Sequence, residues 1–286
     1  MAISPVPDLA EVYAARRRIE PYLKPTPLYS YPALDALTGA AVRVKHENHQ
    51  PVGAFKVRGG VNLVSQLTAD ERQRGVIAAS TGNHGQSVAY AASLFGVKAV
   101  ICVPEQANPV KVESMRALGA EVVGHGRDFD EAREHCEKLA AAHGYRYIHS
   151  GDEPDLVAKA VRSSIEVIAA QSEAAPAAYR SWEAGALVTA TNTTFAEGLA
   201  TRTAFELPQR IMREKLDDFV LVAEDALRDA TRLMIEKTRN LVEPAGAAAL
   251  AAVLADPSRF AGRNVTLICT GGNISPAQLV SLWAEL

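Results

Sequence analysis

The chain has 286 residues, enough for one large domain or two modest domains with real cores. Its 30 basic and 33 acidic residues give a formal net charge of −3, so no basic surface argues for nucleic acid or an anionic membrane as a partner. Hydrophobic residues make up 48% of the chain, but no run approaches the ~18 apolar residues of a membrane-spanning helix, and the start lacks the regions of a signal peptide. We therefore expect a soluble cytoplasmic protein.

The first predicted elements are an amphipathic helix at residues 9–22 and a short strand at residues 41–45. The polar run after this strand contains His46 and His49, whose spacing could suit a metal ion. No cluster of carboxylates or cysteines accompanies them in the sequence, so we interpret both histidines as solvated loop residues.

The next stretch, residues 53–60, reads Gly-Ala-Phe-Lys-Val-Arg-Gly-Gly and places Lys56 between Phe55 and Arg58. An amine held against apolar surface and beside a fixed cation is favoured in its neutral, nucleophilic form. Neutral lysine attacks carbonyl carbons, so Lys56 is a candidate for Schiff-base chemistry. The alternative is a surface lysine at the start of a helix.

Beyond the lysine, short apolar runs rich in β-branched residues alternate with helical periods. Strands separated by single helices run parallel with right-handed crossovers, which predicts an open α/β sheet whose ligands bind at the carboxyl ends of the strands. The predicted strands are 76–79, 99–103, 121–123 and 145–148, and the helices between them are 86–95, 110–118 and 129–143.

The turn after the first of these strands, residues 80–86, reads Ser-Thr-Gly-Asn-His-Gly-Gln. It follows a strand and opens a helix, and it offers backbone N–H groups, two hydroxyls and an amide. This combination suits a small anion such as a substrate carboxylate. The alternative is an ordinary helix cap by Ser80 or Thr81, although seven consecutive small or polar residues are more than a cap requires.

The second half of the chain repeats the α/β alternation, with strands at 165–169 and 219–222 and a helix at 224–237. Glu243-Pro-Ala-Gly opens a helix that ends near residue 255, and a last strand, 265–269, leads into Thr270-Gly-Gly-Asn. Between the strands 165–169 and 219–222, residues 194–199 form a loop with one carboxylate, Glu197. The cysteines are scattered without metal-type spacing, and we interpret them as buried apolar residues: Cys102, Cys136 and Cys269.

Four motifs in this order, around Lys56, Ser80, Glu243 and Thr270, resemble those of the fold-type-II pyridoxal-phosphate enzymes, specifically the threonine/serine dehydratase and serine racemase group. Within this group the chain looks most similar to catabolic dehydratases of β-hydroxy amino acids, including those of hydroxyectoine breakdown. The resemblance implies two open, mainly parallel twisted sheets with helices on both faces, similar to the β subunit of tryptophan synthase. It also implies a homodimer, a discontinuous large cofactor domain (1–65 and 150–286) and a small mobile α/β domain (66–149).

The resemblance further implies roles for individual residues. Lys56 would carry the cofactor covalently and act as the base at the substrate Cα, with Phe55 packed against the cofactor. Asn83 would bind the phenolic oxygen of the pyridoxal ring, and Thr270 would face the pyridine nitrogen. The other implied positions are Ser80, Thr81, Gly82, Asn83 and His84 for the substrate carboxylate, Glu243 near the ring, and Glu197 for a monovalent or divalent cation.

The nature of Thr270 bears on the reaction that the resemblance implies. A hydroxyl, unlike an aspartate, cannot keep the pyridine nitrogen protonated, so the ring is a weaker electron sink and prompt loss of a β-leaving group is favoured. The implied reaction removes water and ammonia from a β-hydroxy-α-amino acid, such as threonine, serine, 3-hydroxyaspartate or an aryl-serine, to give a 2-oxo acid. The alternatives are a racemase of the same family, for which Thr81 supplies a catalytic hydroxyl opposite Lys56, and a cofactor-free inactive homologue.

One part of the family pattern is missing. The glycine-rich loop for the cofactor phosphate should fall between His149 and Ile165, yet this stretch has no glycine after Gly151. A strand–helix unit on the order of thirty residues or more is therefore expected to be absent near residues 157–159. Either the sequence as written omits a segment, which we favour, or the chain carries a true deletion, or it is a family member that has lost activity. The first explanation predicts a spacing well above ~3.8 Å between two neighbouring Cα atoms within residues 155–160.

Overall fold

The computed structural model describes residues 7–150 and 165–284, so the predicted interruption near residues 157–159 lies outside the described residues. None of the described helices is long and apolar enough to span a membrane. The α-helices are α1 (Leu9–Ile19), α2 (Pro32–Thr38), α3 (Val57–Ser65), α4 (Ala69–Arg74), α5 (Asn83–Leu94), α6 (Pro109–Ala117), α7 (Phe129–His143), α8 (Ala177–Ala184), α9 (Glu206–Lys215), α10 (Glu224–Thr238), α11 (Pro244–Ala255), α12 (Pro257–Phe260) and α13 (Pro276–Trp283). The strands are β1 (Leu28–Ser30), β2 (Ala41–His46), β3 (Val76–Ala79), β4 (Ala99–Val103), β5 (Glu121–Gly124), β6 (Arg146–Tyr147), β7 (Ile168–Ser172), β8 (Asp218–Val222) and β9 (Asn264–Cys269).

The chain divides into two compact units. Unit 1 comprises Met1–Lys24 and Phe55–Lys159, and unit 2 comprises Pro25–Ala54 and Ala160–Leu286. This division differs from the predicted domains because α1 and α3 pack within unit 1, where Arg18 Nη1 donates a hydrogen bond to the Asn62 side chain at 3.1 Å. The predicted mobile small domain stays a prediction.

Unit 1 is built on a parallel sheet with the strand order β5-β4-β3-β6. Successive side chains of a strand point to opposite faces, and both faces of β4 are buried. Helix α7 packs on the face that carries Cys102, whereas on the other face Gly85 of α5 lies close to Ile101. The carboxyl end of β3 therefore opens directly into the turn that starts α5.

Helices α3 and α5 approach each other closely in unit 1. A Cβ atom on Gly60 would lie 2.7 Å from the carbonyl oxygen of Ser87, so a side chain there would force the helices apart. The Ser87 hydroxyl donates a hydrogen bond to the carbonyl oxygen of Lys56 at 2.6 Å. The start of α3, and with it Lys56, is thereby fixed against α5.

Unit 2 contains two sheets among its described residues. One has the order β1-β2-β9, in which β1 is antiparallel to β2 and β2 is parallel to β9, and the other pairs β7 with β8 in parallel. In the part of the chain that the structure describes, no strand joins these two sheets. Helix α11 packs against β7, β8, β9 and α10, and for this reason its alanine-rich surface is largely buried.

The predicted α/β class with mainly parallel sheets is confirmed. The bounds of β3, β4 and α7 are those predicted, and all three cysteines are buried, as expected. Strand β1 was not predicted, because its three residues are exposed and show no apolar alternation. The predicted strand 165–169 lies three residues further on, where Ile168 pairs with Asp218 of β8.

The interpretation of His46 as a solvated residue is wrong. His46 is the last residue of β2, is 0% exposed and pairs in register with Cys269 of β9. Its ring is stacked on that of His49, which is exposed as predicted. The sequence shows only a polar run after residue 45. His46 is buried because β2 pairs in parallel with β9, which the sequence does not show.

Candidate active site

Lys56 lies in unit 1 immediately before α3 and is half-buried. Its Nζ atom is 5.2 Å from the centroid of the Phe55 ring, whose face attracts an ammonium group. The positive charge of Lys56 also helps to lower the pKa of His84, after the larger effect of burial. The amine is therefore held on an aromatic face beside the start of α5. The predicted role of Lys56 as the amine that binds the cofactor stays a prediction.

The Ser80 hydroxyl is used within its own turn. It accepts hydrogen bonds from the backbone N–H groups of Gly82 and Gly85, at 3.0 and 2.8 Å, and it lies 3.3 Å from the Gly82 carbonyl oxygen, to which it donates. Ser80 is only 4% exposed. This geometry favours the helix-cap alternative for Ser80, while the half-buried Thr81 and Asn83 carry the other polar side chains of the turn.

His84 is a buried, neutral imidazole. It is 5% exposed, and burial, the charge of Lys56 and His149 lower its pKa to about 3. Its Nε2 atom lies 3.3 Å from the Ile148 carbonyl oxygen, which can only accept, so Nε2 carries the proton. Nδ1 is then a bare acceptor and has no hydrogen-bond partner. The side chain therefore cannot donate to a substrate carboxylate, and only its backbone N–H could do so.

Acid is expected to destabilise the protein through His84. The unfolded state has the ordinary pKa of 6.5 and the folded state a pKa of about 3, so the unfolded chain binds more protons between these values. The stabilisation is complete above pH 6.5 and is lost as the pH falls toward 3, by up to about 1.4 kcal/mol per pH unit. His84→Gln keeps a donor for the Ile148 carbonyl oxygen. When the pH is lowered from about 7 to about 5, its free energy of unfolding, measured with urea, should fall by roughly 2 kcal/mol less than that of the wild type.

The control for this prediction is His143→Gln, which removes an imidazole from an exposed position of α7. It should follow the wild-type pH dependence. If acid lowers the free energy of unfolding equally in the wild type and in His84→Gln, His84 is not the group responsible.

Lys111 was not among the predicted site residues, yet the structure places it against the turn of residues 80–86. It is 6% exposed in the first turn of α6, and a Cβ atom on Gly82 would lie 3.2 Å from its Nζ. A positive charge in the first turn of a helix is unfavourable because it opposes the helix dipole. This unfavourable position of Lys111 is the feature of the sequence that could have marked it as a site residue. Lys111 adds positive charge where the N-terminus of α5 already favours an anion.

Thr270 lies in unit 2, directly after β9, in a turn that is fixed against residues 52–54. The Gly272 N–H donates to the Gly53 carbonyl oxygen at 2.9 Å, Ala54 forms an antiparallel bridge with Gly271, and the Asn273 side chain donates to the Val52 carbonyl oxygen at 2.8 Å. The structure thus brings the last motif beside the residues that lead into Lys56 along the chain.

Glu243 is buried at the same turn. It is 5% exposed, precedes α11, and donates its backbone N–H to the Gly271 carbonyl oxygen at 3.1 Å. A Cβ atom on Gly246 would lie 2.5 Å from that same oxygen, so glycine is required for the helix to approach the turn. Burial, and then the charge of Glu243, raise the pKa of Cys269 to about 12. Two of the four motifs therefore meet within unit 2.

Glu197 lies in a short 3₁₀ helix, Glu197–Leu199, of unit 2 that packs against α11, where a Cβ atom on Gly198 would lie 2.7 Å from the Ala245 Cβ atom. Its Oε1 accepts a hydrogen bond from Gln278 Nε2 at 3.1 Å. Within residues 7–150 and 165–284, no group of three or more His, Cys, Asp or Glu side chains could hold a metal ion. The cation role of Glu197 stays a prediction.

Comparisons with known proteins identify the family of this chain. The family model described as pyridoxal-phosphate dependent enzyme matches residues 19–163 and 157–271. An L-threo-3-hydroxyaspartate ammonia-lyase of a Pseudomonas species is 31% identical over 309 residues, covering 95% of this chain and 97% of that protein. Among solved structures, a threonine deaminase of T.th. has a TM-score of 0.84 at 35% identity, covering 94% of this chain and 99% of that one. The serine racemase of Dictyostelium discoideum has a TM-score of 0.86 at 28% identity, covering 95% and 100%.

The comparisons also bear on the missing phosphate loop and on the family. The alignment with the Pseudomonas enzyme extends over 309 residues, more than the 286 of this chain, so that relative has residues without a counterpart here. The two segments matched by the family model overlap at 157–163, where the interruption is predicted. The chain therefore belongs to the pyridoxal-phosphate-dependent enzymes, in the group that includes threonine dehydratases, hydroxyaspartate ammonia-lyases and serine racemases.

Proposed function

We propose that the protein is a pyridoxal-phosphate-dependent dehydratase, an ammonia-lyase that converts a β-hydroxy-α-amino acid such as threonine or serine into a 2-oxo acid. The observation that supports it most strongly is the position of the Lys56 amine, on the Phe55 ring and beside the anion-favouring start of α5. The ammonia-lyase and deaminase names of the relatives support the same reaction.

The donor set of the chain fits this cofactor. Pyridoxal phosphate needs a lysine amine, which Lys56 supplies, and polar partners around its ring, for which Asn83, Glu243 and Thr270 are available. The unpartnered Nδ1 of His84 is a buried acceptor that a bound group with an N–H or O–H would satisfy. When bound, the cofactor would supply an electron sink for the carbanion at the substrate Cα. The residues expected to hold its phosphate fall mostly outside the described residues.

The protein residues bind the substrate and move its protons. The N-terminus of α5 and the Thr81 hydroxyl bind the carboxylate, and the buried ammonium of Lys111 adds positive charge beside it. Once released by the substrate, the Lys56 amine takes the Cα proton. The proton that Lys56 has taken would then pass to the β-hydroxyl, which would leave as water. The resulting enamine would take up water and release ammonia, which gives the 2-oxo acid.

A racemase is the alternative within the same family. The half-buried Thr81 places a hydroxyl at the turn beside Lys56, and the fold is shared with a serine racemase. Such a hydroxyl could return a proton to Cα from the other face. The two activities are separated by their products, a 2-oxo acid or a D-amino acid.

The test of the proposed function is spectroscopic and chemical. We expect the purified protein with added pyridoxal phosphate to show the visible absorbance of a lysine-bound cofactor, which borohydride should remove while fixing the cofactor mass on the peptide that contains Lys56. With L-threonine, L-serine or 3-hydroxyaspartate it should release a 2-oxo acid. Formation of D-amino acid instead would favour the racemase, and the absence of the absorbance band would favour the cofactor-free homologue.

Two further expectations from the sequence belong to this proposal, a homodimer and a cytoplasmic location. Light scattering on the purified protein measures the first, and cell fractionation the second.

A further inference from the structure

We propose that His46 and His49 are positioning residues, whose imidazole rings hold residues 238–241 in place and thereby orient Glu243 and the turn after β9. This inference rests on the proposed function in one respect only, which is that Glu243 and this turn face the cofactor ring. All contacts that support the proposal lie within unit 2.

The first hydrogen-bond relay ends at a backbone carbonyl, which fixes its direction. Leu241 O accepts from Asn48 Nδ2 at 3.1 Å, so the Asn48 Oδ1 atom is left as an acceptor. His46 Nδ1 lies 3.2 Å from that oxygen and therefore carries the proton. The lone pair of His46 Nε2 then accepts from the Tyr31 hydroxyl at 2.8 Å. One tautomer of neutral His46 satisfies every member of this relay.

The second relay is directed in the same way. Asn240 Nδ2 donates to the Thr238 carbonyl oxygen at 2.7 Å, so Asn240 Oδ1 accepts from His49 Nε2 at 2.6 Å. The His46 and His49 rings are stacked, with centroids 4.8 Å apart and an angle of 23° between their planes. The two relays therefore end on carbonyls at both ends of residues 238–241.

This segment needs such support because of its backbone. Arg239 has a φ of 57°, in the left-handed region that costs a residue with a side chain about 1–2 kcal/mol. Burial lowers the pKa of His46, and the nearby His49 lowers it further, while the hydrogen bond to Asn48 has the opposite effect. A neutral His46 keeps the lone pair that the Tyr31 hydroxyl requires.

The segment touches the groups assigned to the cofactor. Leu241 O would lie 2.5 Å from a Cβ atom on Gly272, so the segment packs directly on the turn after Thr270. Two residues further along the chain, the Glu243 N–H donates to Gly271 O at 3.1 Å. A shift of Leu241 is therefore transmitted to both Glu243 and the turn.

The experiment compares three substitutions that cut the first relay at different points. His46→Leu removes both ring nitrogens, Asn48→Leu removes the link to Leu241, and His46→Asn keeps a donor in the place of Nδ1. In the ligand-free proteins, we expect the first two to speed hydrogen exchange at the Glu243 amide about tenfold, whereas His46→Asn should restore most of the protection. In the protein loaded with pyridoxal phosphate, the first two should lower kcat about tenfold, which corresponds to ~1.4 kcal/mol, and shift the cofactor absorbance, with KM little changed.

The matched control is Thr231→Val, which removes a buried hydroxyl that donates to Leu227 O at 2.7 Å within α10 of the same unit. It should lower stability without changing the Glu243 exchange, the absorbance or kcat. Wild-type exchange in folded His46→Leu and Asn48→Leu, or equal impairment of His46→Asn and His46→Leu, would overturn the proposal. If His46→Leu does not fold, Asn48→Leu and Tyr31→Phe decide it by the same exchange measurement. The exchange measurement needs no cofactor and tests only the positioning role. If the proposed function is wrong, the wild type will lack the cofactor absorbance, whatever the exchange result.

Discussion

Replacement of Lys56 by alanine is expected to lower 2-oxo acid production by at least about 1,000-fold, because the variant lacks both the amine that binds the cofactor and the base at Cα. The visible absorbance of the lysine-bound cofactor should disappear with it. Lys56→Arg keeps a positive charge beside His84 but cannot act as a nucleophile. It should therefore be equally inactive while retaining the fold. Turnover assays and absorbance spectra on the same preparations measure both effects.

The control for this prediction is Lys45→Ala. Lys45 is a partly buried lysine whose Nζ donates to the Thr26 carbonyl oxygen at 2.6 Å, and no part of the proposed chemistry uses it. Its variant should keep the absorbance band and turnover within about twofold. Continued 2-oxo acid formation by Lys56→Ala would count decisively against Lys56, and Lys111 would then be the next amine to test.

Thr270→Asp is expected to change which reaction the protein performs. A carboxylate facing the pyridine nitrogen would keep that nitrogen protonated and strengthen the electron sink. Elimination should then slow by about tenfold or more, and transamination or racemisation should become detectable. The measurement is the ratio of 2-oxo acid to D-amino acid and to the aminated cofactor, under the same conditions for both proteins.

Two variants control for the added charge and the lost methyl group. Thr266→Asp introduces the same charge on the exposed part of β9, and Thr270→Ser keeps the hydroxyl. Both should retain the wild-type product ratio. Unchanged elimination by Thr270→Asp, with no side reaction, would mean that Thr270 does not face the ring.

The sequence alone was sufficient to locate most elements of unit 1. The apolar runs of β3 and β4 are four and five residues long and wholly buried, so their hydrophobicity is a direct signal of a parallel strand. The start of α5 was predicted three residues late. Asn83 and His84 are poor helix formers, and the Ser80 hydroxyl that caps this turn acts through backbone groups that hydropathy does not report.

The roles of individual polar groups depended on neighbours that lie far away along the chain. The sequence indicated that His84 belongs to an anion-binding turn, but its protonation follows from Ile148, which lies 64 residues further on. The burial of His46 depends in the same way on its pairing with Cys269. Such neighbours are set by strand register and helix packing, which no local pattern of residues records.

By itself, the sequence determined the fold class and the family, because both are written in short motifs and in the periods of strands and helices. Only the tertiary structure decided that Glu243 and the turn after Thr270 meet at the Gly271 carbonyl oxygen, that Lys111 lies on Gly82, and that His46 and His49 hold the segment before Glu243. The physical reason is that hydrogen bonds and close backbone contacts act over a few ångströms in space, whatever the separation of their partners along the chain.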